Sequence, residues 1–311
     1  MERRDLRTLT ERGILLTSRA VAAGWPRRSL TRALRDEGWT RLRYGAWAEP
    51  GRDPDLLTRL RAVQLLEPRL VVSHLSAAPI WRIETLSGAS DAPLEFTDPQ
   101  LSIRRVGSGV RVHRLPLSTQ DVWERQGLRL TPPARTLADL LRDSPRDEAV
   151  VAVDSALSHR RVGRLRRPPI LSPASIANAL EATPRRARGG RERLRLTDPL
   201  AGSPAETVAR LHMYDAGLRP ESQAEVRTPD GRPRFLDFLF RKEGLGVEIE
   251  GYAYHGTRDS HRRDMTRFNQ ILRSAEIRSL LRFGAEDVFH RPARMIEEIR
   301  AALDALAADQ R

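Results

Sequence analysis

The chain has 311 residues, too many for one ordinary hydrophobic core, and its 40% apolar and 31% charged residues describe a globular protein of two or three domains. No apolar run approaches the length of a bilayer span, and the basic start MERRDLRTLTERG lacks the apolar segment expected of a secretory leader. Cysteine is absent, which excludes disulfides and thiolate zinc sites, fits a reducing cytoplasm, and leaves carboxylates and the seven histidines as metal ligands. The formal charge of +13, from 54 basic and 41 acidic residues, attracts polyanions, above all nucleic acid. Lys242 is the sole lysine, however, so the excess is nearly all arginine, and a biased coding composition alone would produce it. The motifs must decide.

From Thr10 the spacing predicts a short helix through Ala23, capped by Thr17 or Ser18 and ended by Gly24. After the Trp25-Pro26 turn a second helix should run from Arg27 to Glu37, with Leu30, Ala33 and Leu34 on its apolar face and Gly38 at its end. TRLRYGAW then alternates as a small hairpin does. Two helices, a tight turn and a hairpin are the order of a winged helix-turn-helix over residues 1–52. Arg27, Arg28, Ser29, Arg32 and Arg35 would line the outer side of the second helix and Arg41 and Arg43 the wing, either against DNA or as a solvated face.

Residues 53–160 read as a mixed α/β domain. DPDLLTRLRAVQLLE is helical in period, LEFTD and VRVHRLPL read as strands, and ARTLADLL and DEAVVAVDSAL as amphipathic helices. His74 beside Ser73 and Ser76 fits a cap serine with a core histidine better than a nucleophile, because sequence adjacency supplies neither base nor orienting acid. Residues 161–200 are rich in arginine, proline and glycine and read as a linker, with one helix inside it at SPASIANALEATP.

The sharpest pattern lies in residues 201–311. SPAETVARLHMYDAGL reads as a helix from a Ser203-Pro204 start to Gly217, followed by the strand AEVRT and a Pro229-Asp230-Gly231 turn. RFLDFLF is an apolar strand with Asp237 at its middle, and after a Glu243-Gly244 turn GVEIEG carries Glu248 and Glu250 on one face. Carboxylates placed among Phe235, Phe238, Leu239 and Ile249 are costly unless a cation balances them, and a hard divalent ion takes oxygen ligands. Asp237, Glu248 and Glu250 would therefore converge on Mg²⁺ or Mn²⁺, and the upstream helix also offers Glu206.

The LLTSRAVAAG stretch, the arginine-rich second helix and the WTRLRYGAW wing resemble the N-terminal domain of AbiEi-type antitoxins, and SHLSAA, TPPART and AVDSAL resemble the domain that follows it. The resemblance implies promoter binding and a co-encoded toxin as partner. From Ser203 to Ala302 the chain is similar to the PD-(D/E)xK nuclease superfamily, more closely to the group of very-short-patch-repair endonucleases. Glu206, Asp237, Glu248, Glu250, His255, Arg262, Asp264, Arg267, Asn269 and SLLRFGAEDVF carry that likeness. It implies a restriction-endonuclease-like α/β domain that cleaves DNA, with Asp237 and Glu248 as the metal ligands, helped by Glu206. It also implies Glu250 or His255 handling the attacking water and Arg262 and Arg267 clamping phosphate. Glu250 stands where the superfamily has its lysine. The expected protein is thus a cytoplasmic α/β multidomain DNA-binding protein with a metal-dependent endonuclease domain. The alternatives are a non-cleaving repressor or antitoxin with a degenerate nuclease fold, or a protein that neutralises a partner toxin.

Overall fold

The computed structural model describes residues 5–87, 92–100, 102, 107–162, 165–182, 186–250 and 268–309. The chain is mixed α/β and divides into two compact units, Met1–Trp81 with Ser87–Thr136, and Arg82–Leu86 with Leu137–Arg311. No helix among the described residues is long and apolar enough to cross a membrane.

After a 3-10 turn (Leu6–Leu9) the first unit continues with strand β1 (Ile14–Leu16), helices α1 (Thr17–Ala22) and α2 (Arg27–Asp36), and strands β2 (Thr40–Arg43) and β3 (Ala46–Ala48). The two helices and the hairpin lie where periodicity placed them, but β1 adds a third strand, giving the antiparallel order β1-β3-β2. That strand changes the helix start. Leu16, the last strand residue, is the cap of α1 and Thr17 is already helical, its N–H bonded to the Gly45 carbonyl at 2.9 Å. Leu15, Leu30, Leu34, Trp39 and Trp47 close the core of this part.

Helix α3 (Leu56–Leu66) follows, capped by Asp55, which accepts the Thr58 N–H at 2.7 Å. Beyond it lie β4 (Val71–Val72), the single turn α4 (His74–Ala77), β5 (Leu94–Thr97), β6 (Val110–His113), β7 (Trp123–Arg125) and β8 (Leu128–Leu130). They form a mixed sheet in the order β6-β5-β4-β8-β7.

Helix α5 (Pro133–Asp143) leads to α6 (Arg146–Leu157), whose residues from Glu148 onward are all buried. The second unit therefore claims residues 137–160, which the sequence assigned to the middle domain. The expected linker differs too. It contains the antiparallel strands β9 (Arg160–Val162) and β10 (Leu165–Arg167) and helices α7 (Pro173–Glu181) and α8 (Ala187–Leu194). Ile176 and Leu180 are fully buried, and the Arg193 guanidinium donates to the Leu141 and Ser144 carbonyls at 2.8 and 2.7 Å.

Helix α9 (Pro204–Asp215) then packs on a four-stranded sheet of β11 (Glu221–Arg227), β12 (Pro233–Phe240), β13 (Leu245–Glu250) and β14 (Ser279–Gly284), joined in chain order. The first three strands are antiparallel, and β14 runs parallel to β13. Helices α10 (Ala285–His290) and α11 (Pro292–Ala308) complete the unit. Val208, Ala209 and Met213 of α9 meet Phe238, Phe240, Val247 and Ile249 of the sheet, with Met295 and Ile299 of α11. A second cluster holds Ala224, Val226, Leu236 and Leu239 with Ile271 and Ile277.

Candidate functional site

Three elements of the second unit bring carboxylates together. The sequence Ser203-Pro204-Ala205-Glu206 starts α9 with a capping serine, whose hydroxyl accepts the Glu206 N–H at 3.2 Å. Glu206 turns back over the helix start and accepts the Gly202 N–H at 2.7 Å, leaving it only 8% exposed. A Cβ at position 202 would come within 2.9 Å of this carboxylate, which would have to shift.

Asp237 comes from the middle of β12. The β12–β13 ladder ends at Phe238 opposite Val247, and there the Asp237 carboxylate takes over, accepting the Ile249 N–H at 2.8 Å. Gln223 of β11 joins the two acids. Its amide donates to Glu206 Oε2 and to Asp237 Oδ1, both at 3.0 Å. To do so Gln223 sits at φ +46°, a left-handed conformation that L residues avoid, between the regular pairs Ser222–Phe238 and Ala224–Leu236.

The electrostatics follow from burial and like charge. Desolvation pushes Glu206 up to about 7, and the Asp237 charge adds to it, while the Gly202 N–H, the Ser203 hydroxyl and the Arg160 guanidinium pull it back. Arg160 is itself buried, with its Nε 3.2 Å from Glu84. Desolvation lowers its pKa against the opposing pull of Glu84, Glu206 and Asp154.

Glu248 is half-buried on β13, one residue past Val247 and hence beside Asp237 at the end of the ladder. Glu250 lies further out, exposed and ion-paired with Arg282 of β14. The structure therefore joins Glu206 and Asp237 through Gln223 and puts Glu248 alongside, with Glu250 at the rim. His255, Arg262 and Arg267 lie outside the described residues.

In the first unit, Arg27, Arg28, Arg32, Arg35 and Arg41 are exposed, while Ser29 and Arg43 are half-buried. Ser29 donates its hydroxyl to the Pro26 carbonyl at 3.3 Å, and Arg32 has its Nε 3.6 Å from Asp36. Ser73 and His74 do meet, with His74 Nδ1 2.9 Å from Ser73 Oγ, and Thr97 donates to the same oxygen at 2.9 Å. Ser73 has no exposed surface and His74 only 1%, so a substrate has no approach. The imidazole stacks on His113 with ring centroids 3.6 Å apart, a packed polar core.

Sequence reasoning missed Gln223 and Arg160. An isolated glutamine in an alternating strand bears no motif, and Arg160 was hidden among ten other arginines between Ser158 and Arg195.

No family model matches the chain, and no curated protein is similar to it. Among solved structures it is similar to the Rv2827c protein from Mycobacterium tuberculosis, at 19% identity over 70% of this chain and 84% of that one, with a TM-score of 0.41.

Proposed function

We propose that the second unit is a divalent-metal-dependent DNA phosphodiesterase and that residues 1–52 of the first are a winged helix-turn-helix holding the substrate. One observation carries this reading: a single neutral amide, Gln223 Nε2, holds two carboxylates together on an apolar sheet. Like charges are drawn close and one is buried, an arrangement that costs stability and is economical when a cation collects the same oxygens. The donor set of Glu206, Asp237 and Glu248 is all carboxylate oxygen, which suits Mg²⁺ or Mn²⁺. When bound, such an ion polarises a phosphoryl oxygen and lowers the pKa of a bound water.

The protein's own groups supply the rest. The Gly202 and Ile249 N–H groups fix the two carboxylates in place, so neither reorganises as substrate arrives. Glu250 or His255 would take the proton of the attacking water at a carboxylate oxygen or ring nitrogen. Arg262 and Arg267 would hold phosphate through paired N–H donors. Arg27, Arg28, Arg32 and Arg35 on α2, with Arg41 on β2, present exposed guanidiniums for backbone phosphates.

A second reading has its own observation. Glu250, standing in for the superfamily's lysine, is engaged by Arg282, which favours a DNA-binding repressor or antitoxin that cuts nothing and answers to a co-encoded toxin. Incubating plasmid and short duplexes with the full chain in Mg²⁺, Mn²⁺ or EDTA, beside a binding measurement, separates the two. Metal-dependent nicking supports the phosphodiesterase; duplex binding without strand breaks in either metal puts the second reading ahead.

A further inference from the structure

The first unit contains a cavity of about 220 Å³ lined by Arg12, Arg61, Arg129, Leu65, Glu11 and Glu124, among others. Its most telling feature is the company its arginines keep. Arg12 Nη1 and Arg61 Nη2 both donate to the Gln126 carbonyl, at 3.2 and 2.6 Å, so two guanidiniums meet over one oxygen. Arg52, outside the lining, donates to the Arg12 carbonyl at 2.6 Å, and its charge reaches Arg61. The hydrogen-bond partners of all three are neutral backbone oxygens. Among the described residues Arg61 Nε is buried and has no hydrogen-bond partner at all.

The backbone is shaped to allow this crowding. Gly127 and Gly13 lie at φ +72° and +77°, and a Cβ on either would occupy the space of the Arg12 or Arg52 guanidinium. Arg12 itself is held at φ +53°. Glu124 also lines the cavity, but among the described residues no hydrogen bond or ion pair joins Glu11, Glu124 or Asp55 to these three arginines. Glu11 is held by Arg19 at 2.5 Å, and Asp55, whose field reaches Arg52 and Arg61, spends an oxygen on the Thr58 N–H at 2.7 Å. Burial first, and then the charges of Arg12 and Arg52, lower the pKa of Arg61 against the opposing pull of Asp55.

We propose that this cavity binds a phosphate group, whose oxygens accept from Arg12 and Arg61, with the charge of Arg52 adding to the attraction. Planar guanidinium forks match phosphate geometry, and a dianion cancels the repulsion that the empty arrangement carries. The volume lies below the ~300–1,000 Å³ of pockets that enclose drug-sized ligands, so it admits a phosphate with a small adjoining group, not a whole dinucleotide. Leu65 and Pro68 supply an apolar wall for that adjoining group. The phosphate comes either from a small phosphomonoester or from a nucleic-acid backbone, and this site stands independently of the carboxylate cluster.

The test titrates the full chain by calorimetry with inorganic phosphate and with a nucleoside 5′-monophosphate, at ionic strength fixed with chloride. Wild type is compared with Arg61→Gln and Arg12→Gln, and thermal midpoints in chloride confirm that each variant folds. Arg12 is exposed, so its variant keeps the test alive if Arg61→Gln does not fold. Saturable binding that each variant weakens about tenfold or more supports the site. A short duplex that displaces phosphate names the backbone as the source, whereas duplex and phosphate bound together name a free ligand. The proposal is overturned if neither phosphate, monophosphate nor duplex binds saturably, or if the variants bind all of them as wild type does.

Discussion

Helix α9 carries two buried charges one turn apart, Glu206 and Arg210, and they have opposite surroundings. Arg210 is 1% exposed and meets the fully buried Asp154 of α6 at 2.7 Å. Asp154 also accepts from the Asp198 N–H at 2.7 Å and the Thr207 hydroxyl at 2.9 Å, while Arg210 donates onward to the Leu196 carbonyl at 2.6 Å. Burial pushes both carboxyls up, Asp154 to about 6 and Glu206 to about 7. For Asp154 every neighbour pulls back, with Arg210 the strongest; for Glu206 the Asp237 charge pushes the same way as burial. A buried charge surrounded by its complements serves the fold. Arg160 pulls Glu206 back as well, but the Asp237 charge beside it is what the proposed metal ion would offset.

The contrast breaks most sharply on Asp237→Asn. If the carboxylates hold a metal, nicking rates should fall about 10³-fold or below detection, equivalent to several kcal/mol of lost transition-state stabilisation. Urea denaturation of the same variant without metal should show unchanged or slightly greater stability, because a like charge has gone. Equal cleavage by variant and parent would remove Asp237 from the site.

Arg210→Met should do the reverse. Stranding Asp154 in the core should cost about 3–5 kcal/mol, and adding Asp154→Asn should recover part of it. If Arg210→Met is no more harmful to folding than Asp237→Asn, the distinction between the two charges fails.

The pH dependence of the metal-free protein sharpens it further. In the unfolded chain Glu206 releases its proton near 4.5, and in the folded chain near 7. Between these values the native state holds a proton that the unfolded state has lost. Stability from this group is thus full below pH 4.5 and falls as pH rises through 7, by about 3 kcal/mol at most. Glu206→Gln should flatten that slope in urea titrations at successive pH values, and an unchanged slope would locate the titration elsewhere.

The smallest effect concerns the exposed arginines of α2. Arg28→Ala and Arg32→Ala should each lower the slope of log affinity for duplex DNA against log salt by about one, with little change in sequence preference. A slope that stays put would return these side chains to solvent.

Much of this was legible. Leu30 and Leu34 fixed the buried face of α2, and the turn between RFLDFLF and GVEIEG predicted the pairing that places Asp237 near Glu248. Strand β1 was not, because Ile14, Leu15 and Leu16 are a run of three apolar residues directly abutting a helix, too short to show alternation. The linker reading failed for a different reason. Composition counts arginines but not the carbonyls they find: Arg142 donates to Ala179 and Leu180 at 2.9 and 2.7 Å, tying α5 to α7. Gln223 was beyond reach, since its role depends on a backbone angle that no pattern of residue types records.

That angle has a consequence for anyone who alters this protein. At φ +46° a glutamine costs about 1 kcal/mol more than a glycine, but its amide satisfies two carboxylates, and stranding either of them costs about 1–3 kcal/mol. A library selected for heat resistance without metal should therefore keep glutamine at position 223 in spite of the angle. Glycine there should be tolerated only where a bound cation took over the amide's task of holding Glu206 and Asp237 together, so the same selection run with and without divalent metal reads the two roles apart.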